Sequence, residues 1–126
     1  MNSAWTDKKL NILVVEDSSM IAMLLEDLLV DLGCTVLGPA GSVAQALAAL
    51  QGCEKPLDGA FLDVNLGSET VYPVADALLT RGVPFVFLTG YAAHGIEPRY
   101  SVIPALKKPF LASAIENAVK RFSGQA

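Results

Sequence analysis

Apolar positions along this chain follow two rhythms. Short, almost uninterrupted apolar runs, Asn11-Ile-Leu-Val-Val15, Gly59-Ala-Phe-Leu62 and Phe85-Val-Phe-Leu88, each end in charged or turn-forming residues, the pattern of strands buried on both faces. Between them the spacing becomes helical. Ile21, Leu24, Leu25, Leu28 and Leu32 predict a first helix that Asp17, Ser18 or Ser19 can cap and Gly33 can end. Val43, Ala46, Leu47 and Leu50 mark a second helix, opened by the capping-box sequence Ser42-Val-Ala-Gln45 and ending near Gly52. Val74, Ala77 and Leu78 mark a third, with Pro73 in its first turn and Gly82 at its end, and Leu111, Ile115, Ala118, Val119 and Phe122 mark a terminal helix.

Two weaker runs complete the set. Thr35-Val-Leu37 reads as a short strand closed by Gly38-Pro39, and Ala105-Leu106 as a last strand, which Pro104 assigns to a sheet edge or a strand start. Gly67-Ser-Glu-Thr70 reads as loop. Gly95 and Pro98 leave no room for a full-length helix across 92–101, so that stretch is expected to open readily. Five strands alternating with helices predict an α/β domain whose parallel sheet is covered on both faces.

Composition narrows the class. At 126 residues the chain amounts to one domain able to bury roughly 65–70% of its unfolded surface; residues 1–9 read as an arm and 10–123 as the domain, with no output domain. Hydrophobic residues make up 52% of the sequence and mean hydropathy is +0.45, yet no apolar stretch approaches the ~20 residues of a membrane span. The run behind Lys8-Lys9 is too short for a signal peptide, and Cys34 and Cys53 lie outside any CxxC or Cys/His cluster, so the expectation is a cytoplasmic protein with reduced thiols and no membrane insertion. A net charge of −4 without a longer basic run than a pair argues against direct nucleic-acid binding and for a protein partner.

The ends of the strands carry the chemistry. The first runs into Glu16-Asp17, the third into Asp63, the fourth into Thr89 and the last into Lys107-Lys108. In an open parallel sheet ligands bind just beyond the carboxyl ends of the strands, so parallel neighbours would gather carboxylates, a hydroxyl and an ammonium at one edge, a set suited to a divalent cation and a phosphoryl group. Each residue also has a plain structural reading: Asp17 as a helix cap, Asp63 as a turn residue, Thr89 as the cap of a short helix. Of the two lysines only one need face the site. The lone His94, in a glycine-containing loop, is expected to be solvent-exposed and is given no role.

Taken in order, Glu16-Asp17, Asp63, Thr89 and Lys108-Pro109 resemble the site of the receiver domain of two-component response regulators, across about residues 10–122. Pro84-Phe-Val-Phe-Leu-Thr-Gly-Tyr91 with Lys108-Pro-Phe110 is similar to the subgroup of receivers named for a Phe-Ala-Thr-Gly-Tyr-like motif, with Leu88 in place of its alanine. The resemblance implies a flavodoxin-like, doubly wound five-stranded parallel sheet of order 2-1-3-4-5. It also implies that Asp63 accepts a phosphoryl group from a histidine kinase or histidine phosphotransfer protein and passes the signal to a downstream protein. Asp17 and Asp63 would ligate Mg²⁺, Asn65 would add its backbone carbonyl and Glu16 would act through a coordinated water; Lys108 would pair with one phosphoryl oxygen and Thr89 with another.

This sequence departs from the pattern where receivers carry an aromatic switch residue three positions before the site lysine: here stands Ala105, and Tyr91 is the nearest aromatic replacement. Activation is then expected to order or redirect residues 90–101 rather than shift a preformed helix. Along the first helix, Met23 and Val30 fall opposite Ile21, Leu28 and Leu32, on the face by which related receivers meet the donor, and are expected to contact the kinase. Two rivals stand beside this reading. A haloacid-dehalogenase-like phosphohydrolase would want a second aspartate where Asn65 stands, and a receiver-like interaction module without phosphorylation would be expected to have lost a site residue.

Overall fold

A computed structural model describes residues 9–90 and 96–124. Its elements are β1 (Asn11–Val15), α1 (Ser19–Asp31), β2 (Thr35–Ala40), α2 (Val43–Gly52), β3 (Gly59–Asp63), a hairpin of β4 (Asn65–Leu66) and β5 (Glu69–Thr70), α3 (Tyr72–Arg81), β6 (Phe85–Thr89), a 3₁₀ turn (Pro98–Tyr100), β7 (Ala105–Lys107) and α4 (Ala112–Phe122). The main sheet is parallel, in the order β2-β1-β3-β6-β7, which is the expected 2-1-3-4-5 once the small hairpin is set aside.

Strand alternation distributes the core to two faces. Leu13, Val15, Ala60, Leu62, Phe85 and Phe87 point toward α2 and α3, where Ala46, Leu50, Val74 and Leu78 meet them. Ile12, Val14, Phe61, Val86 and Leu88 point the other way, onto Leu25 and Leu29 of α1 and Ile115, Ala118 and Val119 of α4. Because both faces are covered, the central strands read as continuous apolar runs rather than alternating ones. Backbone polar groups of the central strands can then meet a ligand at the strand ends.

Local chemistry explains most boundaries. Ser18 caps α1 by accepting the Ile21 N–H, Ser42 caps α2 by accepting that of Gln45 while Gln45 returns a bond from the Gly41 N–H, and Gly82 closes α3 in the left-handed region. Among the described residues, the gap between β6 and β7 holds only the 3₁₀ turn.

Several expectations need correction. β2 does not stop at Leu37 but continues through Gly38-Pro39 to Ala40, because Gly38 takes a positive φ of 99° and the register with β1 shifts there; a side chain at Gly38 would strike the Val14 carbonyl at 2.8 Å. The Gly67–Thr70 loop is the turn and return strand of the β4–β5 hairpin. Leu24 is 52% exposed and Leu111 72%, while Ala22, Leu25 and Leu29 form the inward face of α1. Finally, the second half of 92–101 is tied down: Tyr100 is buried, stacked on Tyr72 at 4.7 Å, and hydrogen-bonded to Asp76 at 2.5 Å, with Arg99 paired to the same carboxylate. Tyr91 and His94 lie outside the described residues.

Candidate functional site

Strands β1, β3 and β6 deliver their carboxyl ends side by side, and the residue that follows each apolar run lands on one rim. Val15 pairs with Leu62 and Asp63 with Leu88, so Glu16, Asp63 and Thr89 succeed one another across the sheet edge. Glu16, Asp63 and Thr89 are buried; Asp17, on the turn into α1, is exposed. The structure brings Glu16, Asp17 and Asp63 together, each with a carboxylate oxygen within 4.8 Å of the others. An all-oxygen anionic set of this kind matches the preference of Mg²⁺ for hard ligands from one or two carboxylates.

Lys108 completes the group from the far side of the sheet. Its backbone N–H donates to the Thr89 carbonyl at 2.7 Å, fixing the residue beside β6, and its ammonium lies 3.2 Å from Glu16 Oε1 and 3.2 Å from Asp63 Oδ2. Lys107, one residue earlier, is exposed, which answers the question of which lysine faces the site. Asn65 stands at the mouth, exposed, donating its N–H to Asp63 Oδ1 at 3.3 Å. Of the sequence-predicted residues, then, Glu16, Asp17, Asp63, Asn65, Thr89 and Lys108 share one rim.

The electrostatics are those of crowded charge in a poorly solvated place. Burial, then hydrogen bonding and repulsion from Asp63, push the Glu16 carboxyl up to about 7, against the opposing pull of the Ser18 N–H and Lys108. For Lys108 burial works against the charged form, but attraction to Asp63 and Glu16 outweighs it and the ammonium is held above its ordinary value. One acidic cluster therefore holds the Lys108 ammonium while one of its carboxyls keeps its proton to higher pH than a free glutamate.

Two features were hidden in the sequence. Tyr100 packs against Phe87 of β6, two residues from Thr89, with ring centroids 5.6 Å apart; a tyrosine in a proline- and glycine-containing segment carried no period to betray its burial. The hairpin arm Glu69 accepts the Val43 N–H at 3.0 Å, a partner 26 positions away.

No family model matches the chain. Solved structures do. SdrG from Sphingomonas melonis Fr1 is 42% identical, with 90% of this chain and 96% of SdrG aligned at a TM-score of 0.78. Its BeF₃-activated conformation, described from Pseudomonas melonis Fr1, is 40% identical over 99% of this chain and all of that one, TM-score 0.75. The PhyR response regulator REC domain of Erythrobacter litoralis is 28% identical over 92% of this chain and 91% of its own, TM-score 0.79. The chain belongs to the response regulator receiver domains. As a receiver it is a signalling domain rather than a classical enzyme. Phyllosphere-induced regulator PhyR of Methylorubrum extorquens is 31% identical across 90% of this receiver, which spans 45% of that protein's length. No helix among the described residues is long and apolar enough to cross a membrane.

Proposed function

We propose that this receiver takes a phosphoryl group onto Asp63 from a phosphohistidine donor, a histidine kinase or phosphotransfer protein, and hands the resulting signal to another protein as a shuttle, sink or switch. The observation that carries the reading is the Lys108 ammonium bridging Glu16 and Asp63 at 3.2 Å beside Asp17. A cation poised over a nucleophilic carboxylate is where a phosphoryl oxygen would bind. One Asp63 carboxylate oxygen attacks phosphorus in line, the phosphorus–nitrogen bond to the donor imidazole breaks, and the electron pair leaves with the ring. Lys108 exchanges a carboxylate for a phosphoryl oxygen, and the Thr89 hydroxyl donates to another. Asp17 and Asp63, with the Asn65 carbonyl and Glu16 in support, would hold Mg²⁺, which supplies charge neutralisation at the transferring oxygens.

The donor surface follows from α1. Met23 and Val30 are 62% and 56% exposed, and Met20 and Leu24 extend the same apolar area toward the recess lined by Ile21, Gly90, Pro109 and Phe110 beside Lys108. An apolar area of that kind beside a reactive site suits a protein partner. Acetyl phosphate with Mg²⁺ is expected to label the wild type at Asp63 and leave Asp63→Asn unlabelled, with the variant folded. Label on the variant, or none on the wild type, overturns the assignment, and the latter outcome favours an interaction module that works without phosphorylation.

A further inference from the structure

The β4–β5 hairpin follows Asp63 directly and reaches across the mouth of the site to another layer of the fold. Asn65 pairs with Thr70 and Leu66 with Glu69, Leu66 is buried beneath, and the turn at Gly67 takes a φ of +66°. A Cβ on Gly67 would lie 3.9 Å from Asp17 Oδ2, and one on Gly41, in the turn between β2 and α2, would lie 3.9 Å from the Asp17 backbone. Asp17 thus sits between the hairpin tip and the β2–α2 turn. One side-chain bond ties these two walls together: Glu69 Oε2 accepts the N–H of Val43, the first residue of α2. A carboxylate there is favoured twice, by the unsatisfied donor of a helix start and by the positive end of the helix dipole.

We infer that Glu69 is a positioning residue for the acidic site: by strapping the hairpin to the start of α2, it holds Asn65 and the Gly67 turn against Asp17 and so sets how tightly the carboxylates grip a divalent cation. Glu69 is not a member of the acidic cluster of Glu16, Asp17 and Asp63. It acts through the hairpin, as the outer partners of metal ligands do elsewhere, where their loss costs roughly 10–100-fold in affinity. Because this bond is solvent-exposed, the smaller end of that range applies. The inference rests on the metal-dependent reading of the site given above.

Two substitutions break the strap from opposite ends. Glu69→Ala removes the acceptor. Val43→Pro removes the donor at the first helical position, where proline is tolerated, preceded by Ser42 in the extended conformation proline requires. Glu69→Gln keeps an acceptor oxygen. Mg²⁺ alone is titrated into each full-length protein by calorimetry, and acetyl-phosphate labelling of the wild type is run beside it. Expected is a dissociation constant raised about tenfold in Glu69→Ala and in Val43→Pro, no further rise in the double variant, and recovery to within about twofold in Glu69→Gln. Unchanged affinity in both single variants, or effects that add in the double variant, overturns the strap. If the wild type neither binds Mg²⁺ nor labels, the reading of the site fails, and the strap as a device for cation binding fails with it.

Discussion

Glu16 is the residue whose environment is most at odds with its chemistry, and pH is the variable that exposes it. Its folded value of about 7 lies above the ordinary 4.5, so below pH 4.5 the carboxyl is protonated in folded and unfolded chain alike and no penalty exists. Between pH 4.5 and 7 the unfolded chain gives up the proton first, the folded chain binds more protons, and stability falls as pH rises; above about 7 the loss is complete. The total is on the order of 3 kcal/mol. Urea unfolding in the presence of a chelator is expected to show this decline between pH 5 and 7. Glu16→Gln should abolish it, and Asp63→Asn should shrink it without abolishing it, because burial is the first cause of the shift and Asp63 the second. A decline of the same size in Glu16→Gln would assign it to other groups.

At the scale of elements, legibility tracked how strongly a pattern constrains side chains. The central strands could be read because burial on both faces leaves no polar position to confuse them. The inward face of α1 was less legible, since Met20, Ile21, Ala22, Met23, Leu24 and Leu25 are apolar without a break and the period cannot choose among them; Ala22, Leu25 and Leu29 are the buried ones, and Leu25 and Leu29 pack into the core beneath the sheet. Two-residue strands carry no period at all, which is why the hairpin was invisible. Tyr100 was missed for the same reason, yet it anchors its segment through Tyr72, Phe87 and Asp76, and burial with the Asp76 bond raises its phenol well above the usual value. Truncation is therefore costly: Tyr100→Ala should lose roughly 3–5 kcal/mol in urea unfolding, whereas Tyr100→Phe, which keeps the stack, should lose about 1–2. Gly59 gives a second measure of packing. A Cβ there would run into the Phe122 ring, which meets Phe61 edge-on at 5.5 Å, so Gly59→Ala should cost about 1–3 kcal/mol by displacing the end of α4. Tyr100→Ala as stable as the wild type would mean that the segment is not anchored by packing.

Across the whole molecule, the reacting groups and the apolar area proposed to meet the donor are borne by different layers, and this makes them separable. Asp63, Thr89 and Lys108 stand on or directly after strands of the central sheet, held by backbone pairing that a surface change on α1 does not disturb. Met23 and Val30 are exposed on that helix and make no part of its inward face, which Ala22, Leu25 and Leu29 supply. A small phosphodonor needs only the rim, whereas a protein donor must first dock, and docking of an apolar patch is lost when charge is placed in it because the charge must be desolvated. Met23→Glu with Val30→Glu is accordingly expected to slow phosphoryl transfer from the cognate kinase by roughly 10–100-fold, the effect of losing about 1.4–2.8 kcal/mol of docking energy, while labelling by acetyl phosphate and the unfolding midpoint stay near those of the wild type. Equal loss with both donors would place the defect in the fold. Unaltered transfer from the kinase would move its contact to another face of the domain.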